Sequence, residues 1–223
     1  MKNSRLSLGT AQFGTNYGVS NSTGIISQEE INQILDLAKN NDIAALDTAS
    51  EYGIAEESLG RAGVKGWEIT SKLPGLPKKV RDVGDWVFRK VEGSLKKLQV
   101  DELHCLLLHR PSDLLQEGNE SLSKALIKLK DEKIVSRIGI SIYSPRELDD
   151  LLNFIQPDII QAPFNILDRS LENSGWMKTL KNSKVEIQAR SIFLQGLLLD
   201  SSNIPVKLSK FKVLNLIGSF YTT

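Results

Sequence analysis

Short apolar runs alternate with amphipathic segments along this chain. Leu6-Ser7-Leu8-Gly9-Thr10 opens as a strand, and the Gly-, Thr- and Asn-rich stretch over 9–18 follows as a loop. Ser27, with Glu30 three residues on, reads as a capping box, and Ile31, Ile34, Leu35 and Ala38 recur behind it at helical spacing. Ala44-Ala45-Leu46-Asp47 then has the pattern of a strand buried on both faces. A short helix over 56–62 starts acidic and stops at Gly63. The third strand, 67–73, is closed by Pro74 and Gly75. Val87, Val91, Leu95 and Leu98 share one face of a helix over 85–98. Four more strands are expected at 103–108, 136–141, 158–162 and 185–191. Helices are expected over 121–133, from Ser144-Pro145 with proline in its first turn, and over 176–181.

Strands that alternate with helices at intervals of roughly 20 to 35 residues predict a parallel sheet. No Gly-rich phosphate fingerprint follows the first strand, which favours a (β/α)8 TIM barrel over an open doubly wound sheet. A full barrel takes about 250 residues, whereas this chain has 223. The stretch 211–218 suits a helix or a strand, but not a complete unit of both. The expectation is an α/β fold in one domain over 1–223: an incomplete barrel of about seven parallel strands, with the last βα unit missing.

Composition narrows the function classes. The formal net charge is +1, so neither nucleic acid nor an acidic membrane surface is an expected partner. The lone cysteine, Cys105, sits in an apolar run, reads as core packing and has no internal disulfide partner. No apolar run approaches the roughly 20 residues of a membrane span. Met1-Lys2-Asn3-Ser4-Arg5 is basic but leads directly into a strand, so it is not a signal peptide, and a cytoplasmic protein is expected. His104 and His109 are the only histidines and have no acidic cluster beside them, so no metal site is expected. His104 reads as packed against a helix or partly exposed.

In a barrel, side chains at the C-terminal strand ends converge on one site. Those ends supply Asp47 and Tyr52 after strand two, Lys72 on strand three, His109 after strand four, Ser141 on strand five and Gln161 on strand six. Singly, each has a structural alternative: a cap, a solvated lysine, a satisfied histidine. Together they form a proton-donating set. A lysine ammonium stabilises a phenolate and lowers the tyrosine's pKa, an aspartate positions the lysine, and a histidine orients a carbonyl oxygen. No side chain supplies hydride, so a nicotinamide cofactor is implied.

On these residues the chain resembles the aldo-keto reductase superfamily. The matching segments are Gly9-Thr10, Asp47-Thr48-Ala49-x-x-Tyr52-Gly53, Glu57-x-Leu59-Gly60, Ser71-Lys72-Leu73, Leu108-His109-Arg110-Pro111, Ile138-Gly139-Ile140-Ser141 and Gln161, in family order from about 6 to 199. The resemblance implies reduction of a small-molecule aldehyde or ketone, using NADP(H) in preference to NAD(H). Tyr52 is then the general acid, Lys72 and Asp47 its tuning partners and His109 the carbonyl-orienting donor. Gly9, Thr10, Ser141 and Gln161 fall at cofactor positions, the last two on the nicotinamide carboxamide.

Three features depart from the family pattern. Ile142 replaces the usual Asn after Ser141. Arg190 stands where an aromatic ring stacks on the nicotinamide, a role that a guanidinium plane can fill; Ser191 and Gln195 then lie near the pyrophosphate. This Arg-containing form resembles a bacterial branch of the family. The stretch 200–223, with Lys207, Lys210 and Lys212, follows no family pattern, so the chain reads as C-terminally truncated, without part of the cofactor grip. Two other functions stay open: a non-catalytic binding or regulatory protein on this scaffold, and a barrel lyase or aldolase using Lys72 as a Schiff-base amine. The substrate and the oligomeric state are not legible.

Overall fold

The computed structural model describes residues 5–117 and 119–199. The tail over 211–218 and Lys207, Lys210 and Lys212 lie outside the described residues. Seven strands pair in chain order, all parallel: β1 (Ser7–Gly9), β2 (Ala45–Asp47), β3 (Glu68–Leu73), β4 (Leu103–Leu108), β5 (Val135–Ser141), β6 (Ile159–Pro163) and β7 (Glu186–Arg190). Among the described residues β1 and β7 do not pair with each other, so the sheet curls as an open barrel. All seven expected strands are present, each bound within one residue of its expected position.

Seven α-helices lie between the strands: α1 (Gln28–Asn40), α2 (Ala55–Ala62), α3 (Val83–Leu98), α4 (Asn119–Asp131), α5 (Leu148–Leu151), α6 (Ser170–Asn173) and α7 (Trp176–Asn182). The capping box at Ser27 and Glu30 forms in both directions. α3 begins two residues earlier than expected because Asp82 accepts from the Asp85 N–H and caps it. The helix expected after Ser144 is largely a 3-10 turn over Pro145–Glu147, capped reciprocally by Ser144 and Glu147, and only four residues of α5 follow. α6 was not expected; it precedes α7 across Gly175 in a left-handed conformation.

Strand period and register sort the side chains into two faces. The outward face carries Leu46, Ile69, Leu73, Leu106, Leu108, Ile138, Ile140 and Ile160, which join the main core with α1, α2, α3 and α4 through Leu35, Leu59, Val91 and Leu126. The inward face is read across neighbouring strands. Gly9 lies beside Asp47, Lys72 beside Leu107, Leu107 beside Gly139, Ser141 beside Gln161, and Gln161 beside Gln188. Only Cys105, Leu107 and Ile159 form an apolar cluster on that side. Burial pushes the Cys105 thiol up to about 12, as its packing role predicts. Among the described residues no helix is long and apolar enough to cross a membrane.

α2 docks on the end of α3 through a bare glycine. A Cβ at Gly60 would sit 2.1 Å from the Lys97 carbonyl oxygen, inside the other backbone. Gly60→Ala is expected to cost about 1–3 kcal/mol by overpacking. Urea unfolding measures it, and an unchanged midpoint would show that the two helices stand further apart.

Candidate active site

The centre of the rim is a buried cation. Lys72 is 2% exposed, and its Nζ donates to both Asp47 carboxylate oxygens at 2.8 Å and to the Thr48 carbonyl at 2.9 Å. Three acceptors thus satisfy the three N–H groups of the ammonium. A buried ammonium without such partners would be costly to hold. Asp47 is held in turn. Gln161 Nε2 donates to its Oδ1 at 2.8 Å, while the Thr10 amide and hydroxyl both donate to its main-chain oxygen at 2.9 and 3.0 Å.

Tyr52 lies in the turn after β2, and two glycines set its position. A Cβ on Gly14 would fall 2.0 Å from the Tyr52 carbonyl oxygen, and one on Gly53 would fall 2.1 Å from the Gly14 carbonyl oxygen. Gly53 also has φ +56°, which disfavours any side chain. The loop after β1 therefore packs backbone to backbone on the tyrosine turn. Lys72 Nζ stands 5.0 Å from the Tyr52 ring centroid, within cation–π range.

The electrostatics of Tyr52 differ from the expectation that Lys72 lowers its pKa. Burial first, and the Asp47 carboxylate second, hold the phenol well above its ordinary value; Arg190 pulls it back only partly. The reason is local neutralisation. Asp47 takes up the Lys72 charge at hydrogen-bond distance, so the phenol meets an ion pair and little water. Its hydroxyl is held protonated.

His109 meets Tyr52 edge to face, with ring centroids 5.8 Å apart and planes at 83°. Its backbone N–H donates to the Leu73 carbonyl at 3.0 Å, which ties the exits of β3 and β4 together. Arg110 and Asp113 clamp the same two loops: Asp113 accepts from the Leu76 amide and from Arg110 Nε at 2.6 and 2.7 Å. Burial and the Lys72 ammonium hold the imidazole below its usual value, against the pull of Glu51 and Asp47. His109 Nδ1 is 3.0 Å from Glu51 Oε2, at ion-pair distance, although the N–H is not aligned for a hydrogen bond.

The remaining candidates divide. Ser141 Oγ donates to Gln161 Oε1 at 2.9 Å, and Gln161 Nε2 also donates to Gln188 Oε1 at 2.9 Å, so Ser141, Gln161 and Asp47 form one buried network. A Cβ at Gly9 would meet nothing within 4 Å, which leaves open space on the inner face. Thr10 is fully buried and spends its hydroxyl on Asp47, so it buttresses the rim from behind instead of facing a ligand. Arg190 lies 4.4 Å from the Tyr143 ring centroid and donates to the Ile142 carbonyl at 3.0 Å, with Nε buried and without an aligned acceptor. Ser191 and Gln195 both have positive φ, and Gln195 accepts from the Val19 amide at 2.9 Å, bridging the loops after β1 and β7. In the loop after β1, Phe13 is core and Tyr17 is half-exposed. Glu51, Gln188 and Tyr143 are additions that sequence reasoning passed over; only the strand period, which puts Gln188 beside Gln161, carried a signal.

The model of the aldo/keto reductase family matches residues 5–214. The chain belongs to the aldo/keto reductase family. It is 29% identical over 207 residues to the aldo-keto reductase YhdN of Bacillus subtilis, covering 87% of this chain and 60% of that protein. It is 27% identical over 176 residues to the L-glyceraldehyde 3-phosphate reductase of Escherichia coli strain K12, covering 70% of this chain and 50% of that one. The crystal structure of an aldo-keto reductase from Pseudomonas aeruginosa superposes with a TM-score of 0.68 at 29% identity, covering 82% of this chain and 71% of the other. The chain thus spans about three fifths of the length of YhdN and half that of the E. coli reductase.

Breaking the central ion pair from one side strands a charge. Lys72→Met should destabilise the fold by about 3 kcal/mol, and the double variant Lys72→Met, Asp47→Asn by less than the sum of the two single changes. Denaturant titration of the four proteins measures this; strict additivity would show that the pair is not coupled.

Proposed function

We propose that this chain is an oxidoreductase that reduces an aldehyde or ketone to an alcohol with a nicotinamide cofactor, NADP(H) in preference to NAD(H). The convergence of Tyr52, Lys72, Asp47 and His109 on one barrel rim carries this reading. The resemblance of their motifs to those of the family supports it.

The donor set suits the nicotinamide end of such a cofactor. Gly9 leaves the inner floor open, and Arg190 Nε is a buried donor without an aligned acceptor. Ser141 has spent its proton on Gln161, and Gln161 its two on Asp47 and Gln188, yet their oxygens keep lone pairs that can accept from a carboxamide N–H. Ser191 and Gln195 are proposed on the pyrophosphate side. The bound cofactor supplies hydride to the carbonyl carbon.

The chain's own groups handle the proton. Tyr52 holds a protonated hydroxyl and gives that proton to the oxygen as negative charge develops there. Lys72 and Asp47 do not deprotonate Tyr52 in the resting site. Their ammonium becomes useful when the phenolate forms, because it then faces a new anion across the ring. His109 orients the carbonyl oxygen when its Nε2 carries a proton to donate. Burial of the Tyr52 hydroxyl keeps water away and strengthens each of these contacts.

Tyr52→Phe removes the transferable proton and leaves the ring packing in place. Aldehyde-dependent loss of nicotinamide absorbance should fall at least ~100-fold, while cofactor binding, followed by nicotinamide fluorescence, stays within about twofold. Undiminished turnover in this variant would overturn the assignment of Tyr52.

A further inference from the structure

We propose that Glu51 is a positioning residue acting through His109: it holds the proton of the neutral imidazole on Nδ1, which leaves Nε2 as an acceptor. This inference rests on the reductase reading for its consequence in turnover, but its structural content stands on the pairing alone.

The observation is a close contact. His109 Nδ1 lies 3.0 Å from Glu51 Oε2, at ion-pair distance but not aligned for a hydrogen bond, and that buried nitrogen has no hydrogen-bond partner among the described residues. The Glu51 side chain is 54% exposed, so its carboxylate is free to turn onto the buried N–H. A carboxylate only accepts, so the nitrogen facing it must carry the proton. The second nitrogen of a neutral ring then has only a lone pair.

The charged and titratable groups around the ring come from three elements. Glu51 and Tyr52 lie in the turn after β2, Asp47 on β2, and Lys72 on β3. Burial and Lys72 disfavour the imidazolium, while Glu51 and Asp47 favour it, and the balance lies below the ordinary histidine value. The resting ring is therefore neutral at physiological pH.

This sets a condition on its use. With the proton held on Nδ1, Nε2 accepts from a hydroxyl, which suits an alcohol ligand. Donation from Nε2 to a carbonyl oxygen needs a second proton on the ring. Reduction should therefore rise as pH falls through the His109 titration, below about 6.5. In Glu51→Gln the amide can donate to Nδ1, so the neutral ring carries its proton on Nε2 and donates without further protonation.

With only two histidines in the sequence, long-range proton–nitrogen correlation NMR on the full chain resolves them, and His104→Asn assigns the pair. His109 should show the Nδ1–H tautomer at neutral pH. Glu51→Gln should shift it toward Nε2–H and lower its titration midpoint by about half a unit or more, because the neighbouring anion is lost. Glu51→Asp should keep the direction of the native tautomer. An Nε2–H tautomer in the native chain, or an unchanged midpoint in Glu51→Gln, overturns the proposal. In the second arm, the acid-side rise of reduction flattens in Glu51→Gln; identical pH profiles overturn the proposed role in turnover. The NMR arm needs no catalysis, so absent turnover with the Nδ1–H tautomer observed counts against the reductase reading and leaves the pairing standing.

Discussion

An ammonium group inside a protein must be paired, and much of this rim follows from satisfying Lys72. Its three N–H groups take both oxygens of Asp47 and the Thr48 carbonyl, so the end of β2 is drawn against β3. Asp47 then needs its own support, which Thr10 gives from β1 and Gln161 from across the barrel. Gln161 in turn engages Ser141 and Gln188. Strands that are far apart in sequence are thus joined by one polar network, and the geometry of the rim is a by-product of keeping one buried charge solvated by protein.

The same network explains why the inner face of the barrel is polar. The outer faces of the strands take the leucines and isoleucines that pack on the helices. Inside, the apolar content shrinks to Cys105, Leu107 and Ile159, and the rows nearest the C-terminal ends are filled by hydrogen-bonding side chains. A core of hydrocarbon holds the barrel's wall, and a core of hydrogen bonds holds its mouth.

Much of this arrangement was legible in the residues. Strand positions followed from short apolar runs between turn signals, and the capping box at Ser27 formed as written. The four rim residues were found because strand ends converge, which topology guarantees once the barrel is assumed. What escaped depended on distance and burial. The rise in the Tyr52 pKa comes from lost water and from the nearby Asp47 carboxylate, neither visible in a motif. Thr10 reads as a ligand residue in sequence, but its hydroxyl turns back to Asp47. Glu51 was hidden inside the motif it belongs to, since a side chain between two recognised positions carries no signal of the imidazole it faces. The short α5 escaped because its start signal was sound and its length is set by packing.

The contact between Gly14 and Gly53 has a mechanical meaning. Side chains that touch can rotate and absorb a push; two backbones in contact cannot. A displacement of the loop after β1 is therefore transmitted to the tyrosine turn with little loss, as between two meshed gears. The two glycines make the loop after β1 and the tyrosine turn one mechanical unit.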